Sequence, residues 1–319
     1  RFTADINEAY SNAARDFYTV LANDLKITPE QLWTGGWTDA TGNVQAPFQL
    51  QIRAEGTEGP TLSQDINKAL QDRIDTDYAG VVTEYNALEE TKGGQVINTD
   101  IARELSPEYA ADRSRASEVH GAASAFTKRL YADRLAAPTA PGKVPVVLFT
   151  AGGTGAGKSS VAAVTGKMSD TADIVYDTTM STFKSSDEKI QQALASGRSV
   201  TIAYVYRDPV EALSGGALPR AMRTGRTAPL SVLQESHTGA RKVIDQLAQK
   251  YAGDERVTIF AIDNSRGAGN ARLVALDKIP QINENGLEEK LNEALENAYA
   301  SGEISEQVYR ATSGRSEER

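Results

Sequence analysis

"FTAGGTGAGKSSVAAVT", Phe149 to Thr165, begins at the end of the apolar run "VPVVLFTA" and leads into small and apolar residues with helical spacing. Gly152-x-x-x-x-Gly157-Lys158-Ser159 is the Walker A spacing, and it stands where that pattern carries meaning, between a strand and a helix. Glycines there let backbone N–H groups converge on the β- and γ-phosphates of a nucleotide, which side chains would block. The helix start adds partial positive charge and Lys158 a full one, and the Ser159 hydroxyl can ligate Mg2+. Gly152, Gly153, Thr154, Gly155, Ala156, Gly157, Lys158, Ser159 and Ser160 are therefore expected to form a nucleoside-triphosphate site.

Strands and helices alternate beyond the loop. "ADIVYDTT" reads as a second strand, and "SSDEKIQQALASGR" as a helix with Ser185 and Glu188 at capping-box spacing and Gly197 as its stop. "SVTIAYVYRDP" is a buried strand. Pro229 and the Ser231/Gln234 spacing open a long helix carrying Leu233, Ala240, Ile244, Leu247 and Tyr251, and "RVTIFAIDNS" is a further strand. Ahead of the loop, Ile66, Leu70, Ile74, Tyr78, Val81, Tyr85 and Leu88 form the stripe of an amphipathic helix or helix pair. Gly93-Gly94 release the chain into "QVINTD", a short strand ending on Asp100. Helical spacing then resumes up to the linker "APTAPGK". The expected fold is α/β: a P-loop kinase-like parallel sheet covered by helices on both faces, with an N-terminal, mainly helical extension. The expected divisions are a small segment at 1–60, the kinase-like domain at 61–280 and a helical tail at 281–319, polar and frayed at its end. Within 1–60, a helical pattern (Ile6, Tyr10, Phe17, Leu21) precedes "WTGGWTDATGN" and the strand-like "FQLQIRA". Its two tryptophans either mark a binding surface or pack a small subdomain.

Composition bounds the partners. The 319 residues carry a net charge of −9, so no broad basic surface exists for nucleic acid or membrane, and a polyanion must meet a local cationic pocket. With no cysteine, disulfides, thiol catalysis and thiolate metal sites are excluded. His120 and His237, both on expected helices, are too few for a His-rich zinc site and are expected to be structural. No run of about 18 apolar residues offers a membrane span, and the expected location is the cytoplasm. The sequence opens at Arg1 with neither Met nor a signal-like apolar segment, and reads as a piece of a longer or processed protein.

The class of P-loop protein follows from what surrounds the loop. "VTIAYVY" ends in Arg207-Asp208-Pro209 rather than in the lone Asp of a switch GTPase or motor ATPase, and no Asn-Lys-x-Asp guanine motif occurs. Small-molecule kinases place a carboxylate at a neighbouring strand end to take the acceptor's proton, and arginines on a lid to neutralise phosphoryl charge. Asp100 and Asp177 close the strands "VINTD" and "DIVYD", and Arg207, Arg220, Arg223 and Arg226 crowd one segment broken by glycines and Pro219, as on a mobile lid. Each Asp is either catalytic or a plain helix N-cap. The arginines are either a phosphate clamp, the reading adopted, or a solvated face. Asp263-Asn264-Ser265 is a candidate for the adenine pocket, or a simple strand-to-loop turn.

Taken in order, "GGTGAGKSS", "YDTTMS", "VYRDPVEAL" with its following arginines, and "GRTAPLSVLQESHTGA" resemble the zeta-toxin family of P-loop kinases over about residues 93–266. The resemblance implies an ATP- and Mg2+-dependent kinase that phosphorylates a hydroxyl of a nucleotide-containing metabolite, of the UDP-N-acetylglucosamine or NAD type. An antitoxin or inhibitory partner is implied as well. Asp100 would orient and deprotonate the acceptor, with Arg103 beside it. Asp177 and Thr179 would hold the acceptor or the metal, and the arginines would grip the triphosphate. Two departures stand out. "VINTDIAREL", with Asp100 and Arg103, precedes the phosphate loop where the family places it after, which implies a permuted connection of one sheet. "DTT" replaces the usual acid-Gly-Thr. If Asp100 lies away from the loop, Asp177 inherits the base role. The rivals are a polynucleotide 5′-hydroxyl kinase and a non-catalytic, nucleotide-gated interaction module. Residues 1–90 would bind the partner in that module, or shield the site of the kinase as a neutralising segment.

Overall fold

The computed structural model describes residues 65–314 except Ala268; of residues 1–64 it describes only an antiparallel pairing of Trp37–Thr38 with Val44–Gln45. The helix expected over residues 6–21 and the strand "FQLQIRA" lie outside the described residues. The chain divides into two compact units, Arg1–Gln64 and Asp65–Arg319.

The second unit opens with helices α1 (Ile66–Thr76) and α2 (Tyr78–Ala87), divided at Asp77, whose side chain caps α2. Strand β1 (Val96–Asn98) follows, then short helices α3 (Thr99–Ala102) and α4 (Pro107–Ala111) and the long α5 (His120–Ala136). Strand β2 (Val144–Ala151) carries the phosphate loop to α6 (Ala162–Thr171). After them come β3 (Ala172–Asp177), α7 (Phe183–Ala195), β4 (Ser199–Tyr206), α8 (Pro209–Ala212), α9 (Leu218–Thr224) and α10 (Leu230–Lys250). Strands β5 (Val257–Asp263) and β6 (Arg272–Val274) and helices α11 (Leu287–Ala300) and α12 (Glu306–Ser313) complete the chain.

The six strands of this unit lie in the order β1-β3-β2-β4-β5-β6. All neighbours are parallel except β5 and β6, an antiparallel edge that the strand–helix alternation did not announce. Alternation along the central strands assigns each face its own core, as a pleat of period two requires. Val147, Phe149, Ile174, Tyr176, Val200, Ile202 and Tyr204 join α1, α2, α5, α7 and α10 in one cluster. Leu148, Val175, Ala203 and Val205 meet Val161, Val164 and Met168, around the start of α6, in another.

Several sequence expectations change in detail. Strand β1 ends at Asn98, because the Asn98 side chain caps α3 by accepting from Asp100 N–H (2.6 Å) and Ile101 N–H (3.3 Å); Asp100 therefore sits in a helix's first turn, not at a strand end. Helix α7 begins at Phe183, so Ser185 lies inside it and accepts from Lys189 Nζ (2.6 Å) instead of capping. Helix α10 starts at Leu230 with no side-chain cap, so the Ser231/Gln234 spacing does no capping. Ile66, Leu70, Ile74, Val81 and Tyr85 are fully buried in the main core, and Tyr85 bonds the β1 backbone (2.9 Å to Asn98 N), so residues 66–88 belong to the fold and do not form a detachable shield. The tail helices pack as well: Leu287, Leu291 and Leu295 of α11 share a cluster with Leu213, Leu218, Leu230 and Leu233. The arginine segment expected to be mobile is thereby clamped between helices.

Arg198, where the chain turns into β4, is buried. It pairs with Asp173 (2.7 Å) and donates to the carbonyls of Leu135 (2.8 Å) and Ala137 (2.8 Å) at the end of α5. Removing one partner of such a pair strands the other charge. Arg198→Met should lower unfolding free energy by about 3–5 kcal/mol in urea titration; an unchanged midpoint would show that the pair does not tie α5 to the sheet.

Candidate functional site

The phosphate loop leaves β2 and passes through a 3-10 turn, Lys158–Val161, before α6 begins. Its backbone is fixed from several sides. Thr154 N–H donates to Ser236 Oγ (2.9 Å), and Thr154 C=O accepts from His237 Nε2 (2.8 Å), both on α10. A carbonyl can only accept, so Nε2 carries the ring proton. Ala156 C=O accepts from Asn264 Nδ2 (2.7 Å), and Gly152 N–H donates to Thr179 C=O (3.2 Å). Lys158 Nζ reaches back to Gly152 C=O (3.0 Å). Two glycines are required by close approach. A Cβ at Gly153 would collide with the His237 ring, and one at Gly155, whose φ is +77°, with Ala212 C=O at the end of α8. His237 is pushed down to about 4 by burial, with Lys158 adding repulsion against the raising effect of the Thr154 bond. Its expected structural role is thus a specific one, to hold the loop.

The edge strand brings the acid. Asn98 pairs in register with Asp177, and Asn98 Nδ2 donates to Asp177 Oδ2 (2.6 Å) while Thr150 Oγ1 donates to Asp177 Oδ1 (2.6 Å). Two residues beyond Asn98, Asp100 pairs with Arg103 (3.0 Å) and with Arg226 (3.1 Å). Burial works to raise the Asp100 carboxyl, but the fields of Arg103, Arg226, Arg220 and Lys158 outweigh it and hold the group below the usual carboxylate range. Asp100 thus stands in the field of the phosphate-loop lysine, and its side chain is 42% exposed.

The remaining residues separate by position. Arg103 also contacts His120 Nδ1 (2.8 Å), which makes it a brace for Asp100. The Nε atoms of Arg207 and Arg220 are buried with no hydrogen-bond partner among the described residues. Arg207 packs its guanidinium over Gly215, and Gly216 packs on Gly155 C=O, so this turn adjoins the phosphate loop. Arg223 is exposed and is not among the charges acting on Asp100. Thr179 Oγ1 bonds Ser181 Oγ (3.1 Å), and Ser159 is exposed in the 3-10 turn. Asn264, the middle residue of the candidate adenine segment, is buried and props the loop, and Asp263 accepts from Arg272 (3.2 Å) and from Ser265 N–H (3.0 Å). The site residues that sequence reasoning missed are Asn98, Thr150 and Ser236. Asn98, directly before Thr-Asp at a helix start, carried a capping signal; Thr150 and Ser236 carried none. Among the described residues no cluster of three or more His, Asp or Glu could hold a metal, and no helix is long and apolar enough to cross a membrane.

A phosphate loop and a guarded carboxylate, with arginines near it, at the C-terminal end of a largely parallel sheet define a P-loop kinase-like fold. The model of the Zeta toxin family matches residues 163–273, so the resemblance is shown from the helix behind the phosphate loop to β6. The match leaves out β1 and the loop itself. No curated protein matches the sequence. Among solved structures, the native AvrRxo1-ORF1:-ORF2 complex is 17% identical, covering 69% of this chain and 59% of that one at a TM-score of 0.40. This chain thus spans less than two thirds of that protein. The same complex with ATP is 16% identical, covering 77% of this chain and 72% of that one, also at 0.40. A structure from the PezAT chromosomal toxin–antitoxin system of the human pathogen Streptococcus pneumoniae is 12% identical, covering 74% and 99%, at 0.31. These likenesses are distant, and the sheet order and loop geometry carry the fold on their own.

His237 is neutral when folded, near 4, against an ordinary value of 6.5. The unfolded chain therefore binds more protons between those values; the group's contribution is complete above about pH 6.5 and is lost as pH falls toward 4. Urea unfolding should show the wild type losing more stability than His237→Gln on acidification over that window; parallel curves would contradict a buried neutral imidazole. Asn98→Ala removes the α3 cap and the Asp177 contact together, and should cost about 1–3 kcal/mol in the same assay. No loss would mean that the end of β1 is held by other contacts.

Proposed function

We propose that the protein is an ATP-dependent kinase that phosphorylates a hydroxyl of a nucleotide-containing metabolite, of the UDP-N-acetylglucosamine or NAD type. The observation that carries this reading is Asp100, which precedes the phosphate loop by a strand and several helices yet stands in the field of Lys158. A loop that only gates a partner has no need of a carboxylate held there.

The residues fit a triphosphate. The loop backbone is fixed by α10 and Asn264, and the Nε atoms of Arg207 and Arg220 are buried with no partner among the described residues. Bound Mg-ATP supplies the transferable phosphoryl group. Lys158 and the loop N–H groups neutralise phosphate charge, and Arg220 and Arg226 stabilise the charge that spreads over the phosphoryl oxygens during transfer. Ser159 would hold the Mg2+, which would supply charge neutralisation at the phosphates. Asp100 accepts a hydrogen bond from the acceptor hydroxyl and takes its proton. The hydroxyl oxygen bonds to the γ-phosphorus as the bond to the ADP oxygen breaks. Because its carboxyl is held low, Asp100 takes that proton late and acts first by orienting the nucleophile. Arg103 fixes Asp100, while Asp177 and Thr179 form the floor beside the acceptor. Asp177 stays in place of the base only if Asp100 proves dispensable. The family match also supports a neutralising partner; with residues 66–88 in the core, a shield within this chain would have to come from residues 1–64.

The test is incubation with Mg-ATP and, separately, UDP-N-acetylglucosamine, NAD and a 5′-hydroxyl DNA oligonucleotide, with mass spectrometry of each. A metabolite gaining one phosphate is expected, with the rate falling about 100- to 10,000-fold in Asp100→Ala. Transfer to the oligonucleotide alone, or transfer indifferent to Asp100→Ala, would contradict the proposal.

A further inference from the structure

Helix α5 begins at His120 without a side-chain cap of its own, since Val119 before it has no polar atom to offer. One of the helix's orphan N–H groups is met from α1 instead, where Asn67 Oδ1 accepts from Ala122 N–H (2.7 Å). That bond fixes the first turn of α5, where the His120 ring stands against Arg103. Arg103 Nη2 lies 2.8 Å from His120 Nδ1, and its other terminal nitrogen, Nη1, lies 3.0 Å from Asp100 Oδ1. Arg103 Nε is buried with no partner among the described residues. The guanidinium is thus held at two points, by Asp100 on one side and by His120 on the other.

A guanidinium only donates, so Nδ1 accepts, and the single proton of the ring sits on Nε2. His120 is therefore neutral in this contact, and its surroundings favour that form. Partial desolvation, Arg103 and Lys128 lower the ring from its ordinary value, against a raising effect of Asp100. Its place in the first turn of a helix also disfavours an imidazolium. The charged groups acting on the ring are Arg103 and Asp100, from the chain after β1, and Lys128, further along α5; Asn67 of α1, which meets this end of the helix, is uncharged. The residue is exposed, so protons from solvent reach it. Neutrality has a use here. A carboxylate in this place would also hold Arg103, but it would share the arginine's charge, and Asp100 would lose part of the field that keeps it ionised. A neutral acceptor fixes the guanidinium and leaves its charge to Asp100.

We infer that His120 is a positioning residue for the transfer: it orients Arg103, and through it the Asp100 carboxylate, without competing for the arginine's charge. The role rests on the kinase reading; the contact itself does not. An imidazolium has no lone pair left at Nδ1 and repels the guanidinium, so protonation breaks the contact. His120 is lowered from 6.5 and Asp100 from 3.8, so on acidification the ring gains its proton while the carboxylate is still ionised. Turnover therefore declines first through His120, below pH 6.5, and only at more acid pH through Asp100.

His120 and His237 are the only histidines of the chain, so proton NMR of the full chain can follow the His120 ring, with His120→Gln identifying its signals. The wild-type ring should titrate below 6.5, and Arg103→Met should move it upward. A midpoint at or above 6.5, or one indifferent to Arg103→Met, would overturn the contact. Turnover is then followed with Mg-ATP and whichever acceptor gains phosphate. At mildly alkaline pH, His120→Ala should lower kcat about 10-fold, the loss expected for a hydrogen bond to a charged group, with KM for ATP and the urea midpoint unchanged. His120→Gln, whose amide oxygen accepts without titrating, should restore most of the rate and carry it to lower pH than wild type. His120→Glu, which competes for Arg103, should not. An unchanged kcat in His120→Ala, or the same acid limb in His120→Gln as in wild type, would overturn the role. A ring that answers to Arg103 in a protein that phosphorylates no acceptor would leave the contact standing and sink the kinase reading, and the positioning role with it.

Discussion

The pairing of β1 with β3 is the constraint on which the site depends. Val96, Ile97 and Asn98 align with Val175, Tyr176 and Asp177, and this short parallel ladder fixes where the chain ends its strand and turns. Parallel strands put all their C-terminal ends on one side, which is where α/β sheets build sites. Asn98 then performs two tasks with one amide. Its oxygen caps α3 and its nitrogen holds Asp177. A register shift of one residue would turn Asn98 to the opposite face and carry Asp100 away from the loop. The chain order of the strands is immaterial to this outcome. The sheet needs only a strand at that position that hands the chain to a carboxylate, and here that strand comes before the phosphate loop.

Around that edge, the site is assembled by long-range contacts that fix backbone before any ligand arrives. Helix α10 grips Thr154 through Ser236 and His237, Asn264 holds Ala156 from the far side, and β3 holds Gly152 through Thr179. Donors fixed in advance need not reorganise when phosphate charge moves, which is the main source of catalytic stabilisation in phosphoryl transfer. The C-terminal helices serve the same end. Leu287, Leu291 and Leu295 hold the segment bearing Arg220 and Arg226, so its arginines face a defined place. Arg226 is held there by its ion pair with Asp100 (3.1 Å).

Much of this was legible in the sequence because the signals were local. The Walker A spacing, the β-branched strands and the Asp-x-x-Arg of "VINTDIAREL" announce a P-loop sheet with an acid beside it. Spacing rules misled where the same spacing recurs for another reason: Ser185 and Glu188 match a capping box, yet Ser185 lies inside α7 and serves Lys189. Strand β6, three residues long, is too short and exposed to carry an alternation. The role of His237 had no local signal, since its partner Thr154 is 83 residues away. The glycines of the lid read as flexibility, but Gly216 marks instead a place where backbone meets backbone.

The most direct measurement is a crystal structure of the full chain with Mg2+ and a non-hydrolysable ATP analogue. The account predicts the triphosphate on the loop from Gly152 to Ser159, Arg220 and Arg226 on its oxygens, and the Asp100 carboxylate facing the γ-phosphate across a gap the size of one hydroxyl. A triphosphate bound with Asp100 turned away, and Asp177 in its place, would contradict the claim that the chain leaving the strand before the loop delivers the carboxylate that acts as base.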